Sequence, residues 1–424
     1  MHSFVYGLLG GLLIGIAAAA LLILAGEMLG ACGVVTSLAL TPRQAITNPD
    51  KYWKLVFLAS FCLTSNLGFS EVYEDYQEGL ATLSQWAFAL GGLLVGFGTK
   101  LGNGCTSGHG VCGLARFSKR SFVSVAVFMG VGMLTAYLTQ ASTSPFPDEA
   151  FAWLRTTSDD NTPPPELKVW PLAARIVVLV LVLMTLAAPT FHNASLSVWS
   201  AQGELVARRK LAPAMISGVI FAAGLYTSRM CFPVYVFGYL NLGLFARGGP
   251  NWDATLCFVM GGAVLCSAIA YQFIEGHSLI LPPEKTLSKP MALTQVEGAT
   301  FRIPTSTTID TNLVLGGVCF GLGWGITGLC PGPAIFLASI GVGWVMVIYW
   351  PCFLFGSFIA GWIQQQAWLP CQATISCDGP VCENIPRLSA AGSANAKKEK
   401  EPLNVEVDLD AMEKHSKEEA DHQV

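Results

Sequence analysis

Three times in this chain a cysteine stands at one fixed offset behind a set of small residues. The pattern reads Gly91-Gly92, Gly96, Gly98 and then Cys105. It recurs as Gly316-Gly317, Gly321, Gly323 and Cys330, and more loosely as Ser217-Gly218, Ala222, Gly224 and Cys231. In each copy the cysteine follows the first small residue by fourteen positions. A fourth loop, Gly26-Glu27-Met28-Leu29-Gly30-Ala31-Cys32-Gly33, keeps the cysteine but degrades the preceding glycine pair to Ala18-Ala19. A thiol is a weak donor and a weak acceptor with a polarizable sulfur. It contacts a soft, sulfur-bearing anion without holding it tightly, and conduction needs sites that release their cargo. Lysine at each position would hold a dianion too firmly, and serine would suit oxygen better than sulfur. Close helix packing accounts for the glycines, but it asks only for small residues. It does not ask for cysteine at a repeated offset.

The elements that must carry these cysteines are apolar. Of 424 residues 52% are hydrophobic and 12% charged, against about 25% charged in soluble domains. Runs of roughly 20 apolar residues cross a bilayer. Nine spans are readable, near 4–25, 52–68, 84–98, 121–139, 170–188, 212–226, 252–273, 311–326 and 341–363. This is an all-α integral membrane pattern. The first run has no Lys/Arg n-region and is longer than a signal-peptide core, so it reads as a retained helix. The formal charge of −4 is concentrated in one tail, and no basic patch points to nucleic acid. Thirteen cysteines, mostly in apolar stretches and without a CxxC pair, argue against a disulfide framework and a metal site. Cys62, Cys257, Cys266, Cys319 and Cys352 read as small buried hydrophobes. Neither a metal nor another cofactor is expected.

The segments after the patterned cysteines, 33–40, 106–116, 232–246 and 331–339, are too short or too glycine-rich to span. They read as half-helices. Irregular backbone at membrane depth survives only buried in protein or lining a wet cavity, so the four loops are expected to meet centrally. Proline favours a first helical position, and Pro233 and Pro333 lie just past their thiols. Each half-helix would turn its positive end, about half an elementary charge, toward that centre, and such ends bind anions. Lys100 and Arg229 lie close before Cys105 and Cys231 and add to that field. Asn103, Ser107, Pro331 and Gly332 flank the thiols as supporting residues. His109, the one histidine within a patterned loop, is a candidate for substrate contact or proton relay, but freed loop carbonyls need donors, which favours a hydrogen bond to loop backbone.

Alternate loops carry thirteen Lys/Arg on one side and four on the other. The positive-inside bias then places the N-terminus outside and the C-terminus in the cytoplasm. Residues 1–140 form one half and 212–365 the other. An odd helix in the linker 141–211 makes the halves opposite in orientation, the inverted-repeat plan of many transporters. Residues 366–424 read as a disordered cytoplasmic tail. Cys371, Cys377 and Cys382 precede its charged part at no recognisable metal spacing.

The stretch from Gly98 to Leu114, with Gly102-Asn103-Gly104-Cys105-Thr106-Ser107-Gly108-His109-Gly110, resembles the signature of the YeeE/YedE, or sulphur-transport domain, family. Gly323 to Ala334, with Cys330-Pro331-Gly332-Pro333, resembles that family's second signature. The resemblance covers about 1–365. It implies an hourglass-like helical protein with inverted halves in the plasma membrane. It also implies thiosulfate import, the ion passing between the thiols of Cys105, Cys231 and Cys330, with Cys32 at the matching first loop, through S–H···S contacts. A cytoplasmic sulfur-carrier protein is a candidate partner. Transport of another sulfur or selenium species, or a membrane-embedded sulfurtransferase, are the alternatives. The charged tail and the Cys371–Cys382 segment depart from the compact bacterial pattern.

Overall fold

In the computed structural model, residues 3–42, 44, 48–69, 83–140, 148–155, 201–243, 252–296 and 299–366 are described. The expected span at 170–188, residues 70–82, most of the loop after 140, and the tail with Cys371, Cys377 and Cys382 lie outside them. Eleven α-helices concern the site. They are α1 Ser3–Ala20, α2 Ala31–Leu40, α3 Trp53–Phe69, α4 Gln85–Leu101, α5 Lys119–Thr139, α6 Ala201–Thr227, α7 Pro233–Leu240, α8 Thr255–Gln272, α9 Thr311–Thr327, α10 Pro331–Ser339 and α11 Trp350–Gln365. Three segments wind as π-helix: Leu21–Ala25 after α1, Thr106–Gly113 before α5, and Val345–Tyr349 leading into α11. Among the described residues there is no strand, only isolated bridges at Leu83–Arg155 and Ile274–Leu287.

Five helices are long and apolar enough to cross a membrane, six if the bent pair α9 and α10 counts as one span. The chain is thus a multi-pass, all-α membrane protein. The nine crossings read from hydropathy include α3, α4 and α9, each 17 residues long. At 1.5 Å per residue such a helix covers only about 26 Å. α4 and α9 stop short because the chain breaks beyond them. The break in α9 lies at Gly328, whose φ of 68° is left-handed, and the two helices differ by 42° in direction.

The most extensive helix pairings are α1 with α8, α1 with α6, α3 with α6, α4 with α9, α4 with α11, and α5 with α9. Each joins a helix before residue 156 to one after 200. Glycines set the approach. A β-carbon on Gly98 would stand 2.6 Å from the Gly316 carbonyl oxygen, and one on Gly323 would stand 2.7 Å from that of Gly91. Rising numbers on α4 therefore meet falling numbers on α9, and the two run antiparallel. α1 and α6 do the same, since Ile14 meets Gly224 and Ser217 Oγ donates to the Ala17 carbonyl at 2.8 Å. In contrast α1 and α8 run parallel, with Gly7 against Thr255, Gly11 against Val259 and Gly15 against Ala263. α4 and α11 are also parallel, with Gly92 on Tyr349 and Gly96 on Phe353.

Polar contacts gather the loops at two ends. At one end Lys210, on α6, donates to Glu27 at 2.6 Å, and Arg302 reaches both Glu27 at 3.5 Å and Asp50 at 2.9 Å. Arg120 pairs with Asp310 at 3.4 Å on the same end. At the other, Ser84 Oγ donates to the Trp153 carbonyl and Arg155 to that of Thr139. Lys210 and Glu27 are both buried. Removing one partner of a buried pair leaves an uncompensated charge, at about 3–5 kcal/mol. Lys210→Met is therefore expected to lower thermal stability in detergent more than the double variant Glu27→Gln/Lys210→Met does. Gly316→Val should prevent a monodisperse fold, whereas Gly130→Val, which meets nothing within 4 Å, should leave the elution profile on size-exclusion chromatography unchanged.

Candidate functional site

Four short helical segments begin at the cysteines the sequence singles out. Cys105 is the N-cap of the π-helical segment Thr106–Gly113, and Cys330 is the N-cap of α10. Cys231 precedes Phe232, the N-cap of α7, and Cys32 is the second residue of α2 after its N-cap Gly30. In none of the four does the N-cap side chain accept from the helix. Proline opens α7 as Pro233. α10 opens at Pro331 rather than Pro333, which falls two residues inside.

All four thiols are buried. Cys32 and Cys105 lie close enough for their side chains to interact. Cys105 Sγ also lies 3.2 Å from Ser107 Oγ, and Ser107 Oγ accepts from the Ala31 amide at 3.2 Å. Thr106 Oγ1 donates to Cys330 Sγ at 3.4 Å. Cys330 is in turn an electrostatic neighbour of Cys231. The thiols thus form a row in which Thr106 bridges the two halves of the sequence. Thr106 was not picked out from sequence. Its signal was its place, directly after Cys105 in the first helical turn.

Beside the row lies a small, partly open cleft. Cys330, Thr106, Ser107 and Gly332 line it together with apolar side chains and the thioethers of Met230 and Met260. Cys32, Cys105 and Cys231 are outside its lining.

The other expected residues divide. Ser107, Pro331 and Gly332 are buried beside the thiols. His109 lies apart from them. Its ring contacts Ser121 Oγ at 3.1 Å and the Gly102 carbonyl at 3.1 Å, so it closes the loop after α4, as the need of freed carbonyls for donors foretold. Asn103 is exposed, with φ at 56°, and serves the turn, since asparagine tolerates left-handed backbone. Lys100 sits in the last turn of α4 with its side chain against Gly361, where a cation complements the helix terminus. Arg229 is held by rings. Its guanidinium lies 5.0 Å from the ring centres of both Tyr6 and Tyr235, and it donates to the Tyr235 hydroxyl.

The remaining apolar-stretch cysteines differ from expectation. Cys62, Cys266, Cys319 and Cys352 are half-buried and Cys257 is exposed. A membrane-facing helix surface is as apolar as the interior, so a small apolar side chain there needs no protein cover.

Residues 209–364 match the model of a family of unknown function, DUF6691. A probable transporter of Xylella fastidiosa (strain Temecula1) is 37% identical over 134 residues, which is 32% of this chain and 77% of that protein. A second probable transporter of the same strain is 36% identical over 136 residues, 32% of this chain and 95% of the relative. A probable transporter of strain 9a5c is 37% identical over 134 residues, again 32% of this chain and 78% of its own length.

Replacing His109 by Ala leaves the Gly102 carbonyl and Ser121 without their buried partner, at about 1–3 kcal/mol. The expected result is a lowered melting temperature in detergent. Alkylation of Cys105 by a small thiol reagent in folded protein should be unchanged.

Proposed function

The chain belongs to the family of these probable transporters, and on that premise we propose that it imports thiosulfate, or a closely similar soft sulfur anion, along the row of thiols. The observation that carries this reading is the contiguity of Cys32, Cys105, Thr106, Cys330 and Cys231 at the starts of four short helices. Helix starts favour negative charge, and sulfur ligands favour a polarizable ion over a hard one. Thiosulfate joins both properties in one small dianion. Its terminal sulfur passes from one thiol to the next by exchanging weak S–H···S contacts. No covalent bond forms, so the protein is a transporter and not an enzyme.

The pairing of helices supports an inverted relation between the halves. Exchanging α1 with α6, α3 with α8, α4 with α9 and α5 with α11 maps the principal pairings onto themselves, and α1 with α6 and α4 with α9 are antiparallel. A relative matched over 95% of its length by 136 residues of this chain is about a third of this chain's length, close to one of the two proposed units, as two related units within one chain would predict. With thirteen Lys/Arg in the loops of one side, that side is the cytoplasmic one. The ion then enters at the Arg229 end and leaves at the Lys210 and Arg302 end. The cavity beside Cys330, with Met230 and Met260 in its walls, favours a second reading in which a selenium analogue is carried as well.

Uptake of labelled thiosulfate into cells expressing the full chain tests the proposal. Cys105→Ala and Cys330→Ala should each lower uptake at least about tenfold, the equivalent of 1.4 kcal/mol, with surface expression unchanged. Equal uptake by both variants would sink the thiol relay.

A further inference from the structure

Seven residues after Cys105 the same π-helical segment carries another thiol, Cys112, which the row above does not use. It is buried, and its Sγ donates to the Leu29 carbonyl at 3.7 Å. Leu29 follows Met28, and Met28 packs on a small cluster made by Leu22, Ala115, Tyr271 and Ile274, together with Phe301 and Ile303. Arg116 follows Ala115 and donates to the Pro304 carbonyl, just beyond Ile303. Cys112, Arg116 and Tyr271 are thereby neighbours, between the central thiols and the end of the bundle where Arg120 and Arg302 lie.

Two donors in this group have no partner among the described residues. Tyr271 is 1% exposed and its hydroxyl is unpaired; the Nε of Arg116 is buried and unpaired as well. Arg120 and Arg302 make ion pairs on this end, whereas Arg116 makes none among the described residues. The His277 ring lies 6.1 Å from that of Tyr271, and its Nδ1 is also unpaired. Buried unpaired donors cost stability. The phenol and the guanidinium N–H are open donors, while the Cys112 thiol already gives its proton to the Leu29 carbonyl. One kind of ligand matches the group: a small anion whose oxygens take the two unpaired donors and whose sulfur draws the Cys112 S–H from the Leu29 carbonyl.

We propose that Cys112, Tyr271 and Arg116 form a second anion station, holding a small sulfur-bearing oxoanion after it leaves Cys105. This rests on the transport reading for its direction but not for its geometry. The guanidinium and phenol take the oxygens, and the thiol faces the sulfur. The station adds charge where the central row has none, so it draws the ion off weak neutral ligands toward the basic end.

The test uses the full chain, purified in detergent for melting curves and reconstituted for uptake, with sodium thiosulfate as probe and sodium chloride at equal ionic strength as control. Tyr271→Phe removes one hydroxyl that has no hydrogen-bond partner among the described residues, so the melting temperature without thiosulfate should not fall. Thiosulfate-dependent stabilisation should disappear, and uptake should drop about tenfold, the scale of one hydrogen bond to a charged group. Arg116→Gln should likewise remove the thiosulfate-dependent stabilisation and lower uptake, while its lost bond to the Pro304 carbonyl lowers the melting temperature with and without thiosulfate alike. Ser267→Ala removes another unpaired buried hydroxyl one turn away on α8 and should change neither. Cys105→Ala should abolish uptake yet keep the thiosulfate-dependent shift in melting temperature. Equal shifts in Tyr271→Phe and unsubstituted protein, or no shift in the latter, would overturn the station and leave water as the phenol's partner. A shift that depends on Tyr271 without any uptake by the unsubstituted protein would uphold the station and defeat the transport reading.

Discussion

The structure depends on one constraint: backbone broken at membrane depth must find its hydrogen bonds inside the protein. Nearly every break here is answered by a side chain from elsewhere. The Leu329 carbonyl accepts from the Tyr349 hydroxyl at 3.1 Å, and the Leu329 amide donates to Thr327 Oγ1 at 3.3 Å. Trp350 Nε1 reaches the Ala334 carbonyl, and Asn66 Nδ2 that of Ser339, at the two ends of α10. Before α2, the Ala31 amide finds Ser107. After α4, the Gly102 carbonyl finds His109. The bonds of Ala31 with Ser107 and of Ser339 with Asn66 tie α2 and α10 to distant parts of the chain, so those two short helices do not move independently of their partners. That is what keeps Cys32 and Cys330 in the row.

The same constraint explains the glycines. A helix that ends at membrane depth must be covered closely, and α4 and α9 cover one another through Gly91, Gly98, Gly316 and Gly323. Lipid offers no hydrophobic drive for this association, so close packing must supply it. The helices of each half of the sequence pack mainly on those of the other half, so neither half buries its own interior.

Much of the site was legible in sequence because thiols, prolines and glycines have few reasons to share a register. The half-helices after Cys32, Cys105, Cys231 and Cys330 follow from Pro233 and from segments too short to span, although the sequence put the start of α10 at Pro333 and the structure puts it at Pro331. What stayed hidden were contacts between residues far apart in the chain. Proximity in sequence put Lys100 and Arg229 beside the thiols. In space Lys100 lies against α11 and Arg229 between two tyrosines, because side-chain direction follows the local backbone and not the distance along it. Asn103 fell to the same cause, its left-handed backbone being a property of the turn.

By itself the sequence determined the class of protein, the broken helices and the chemical character of the four helix starts. All of these follow from local rules: apolar length, proline and glycine backbone limits, and the polarizability of sulfur. Only the tertiary structure decided which groups meet. It set Cys32 against Cys105, put Thr106 between the halves, gave His109 to a loop carbonyl, and left Tyr271 and Arg116 with donors unpaired. Such pairings depend on how helices from opposite halves cross, and helix crossing is fixed by packing surfaces that no single stretch of sequence contains.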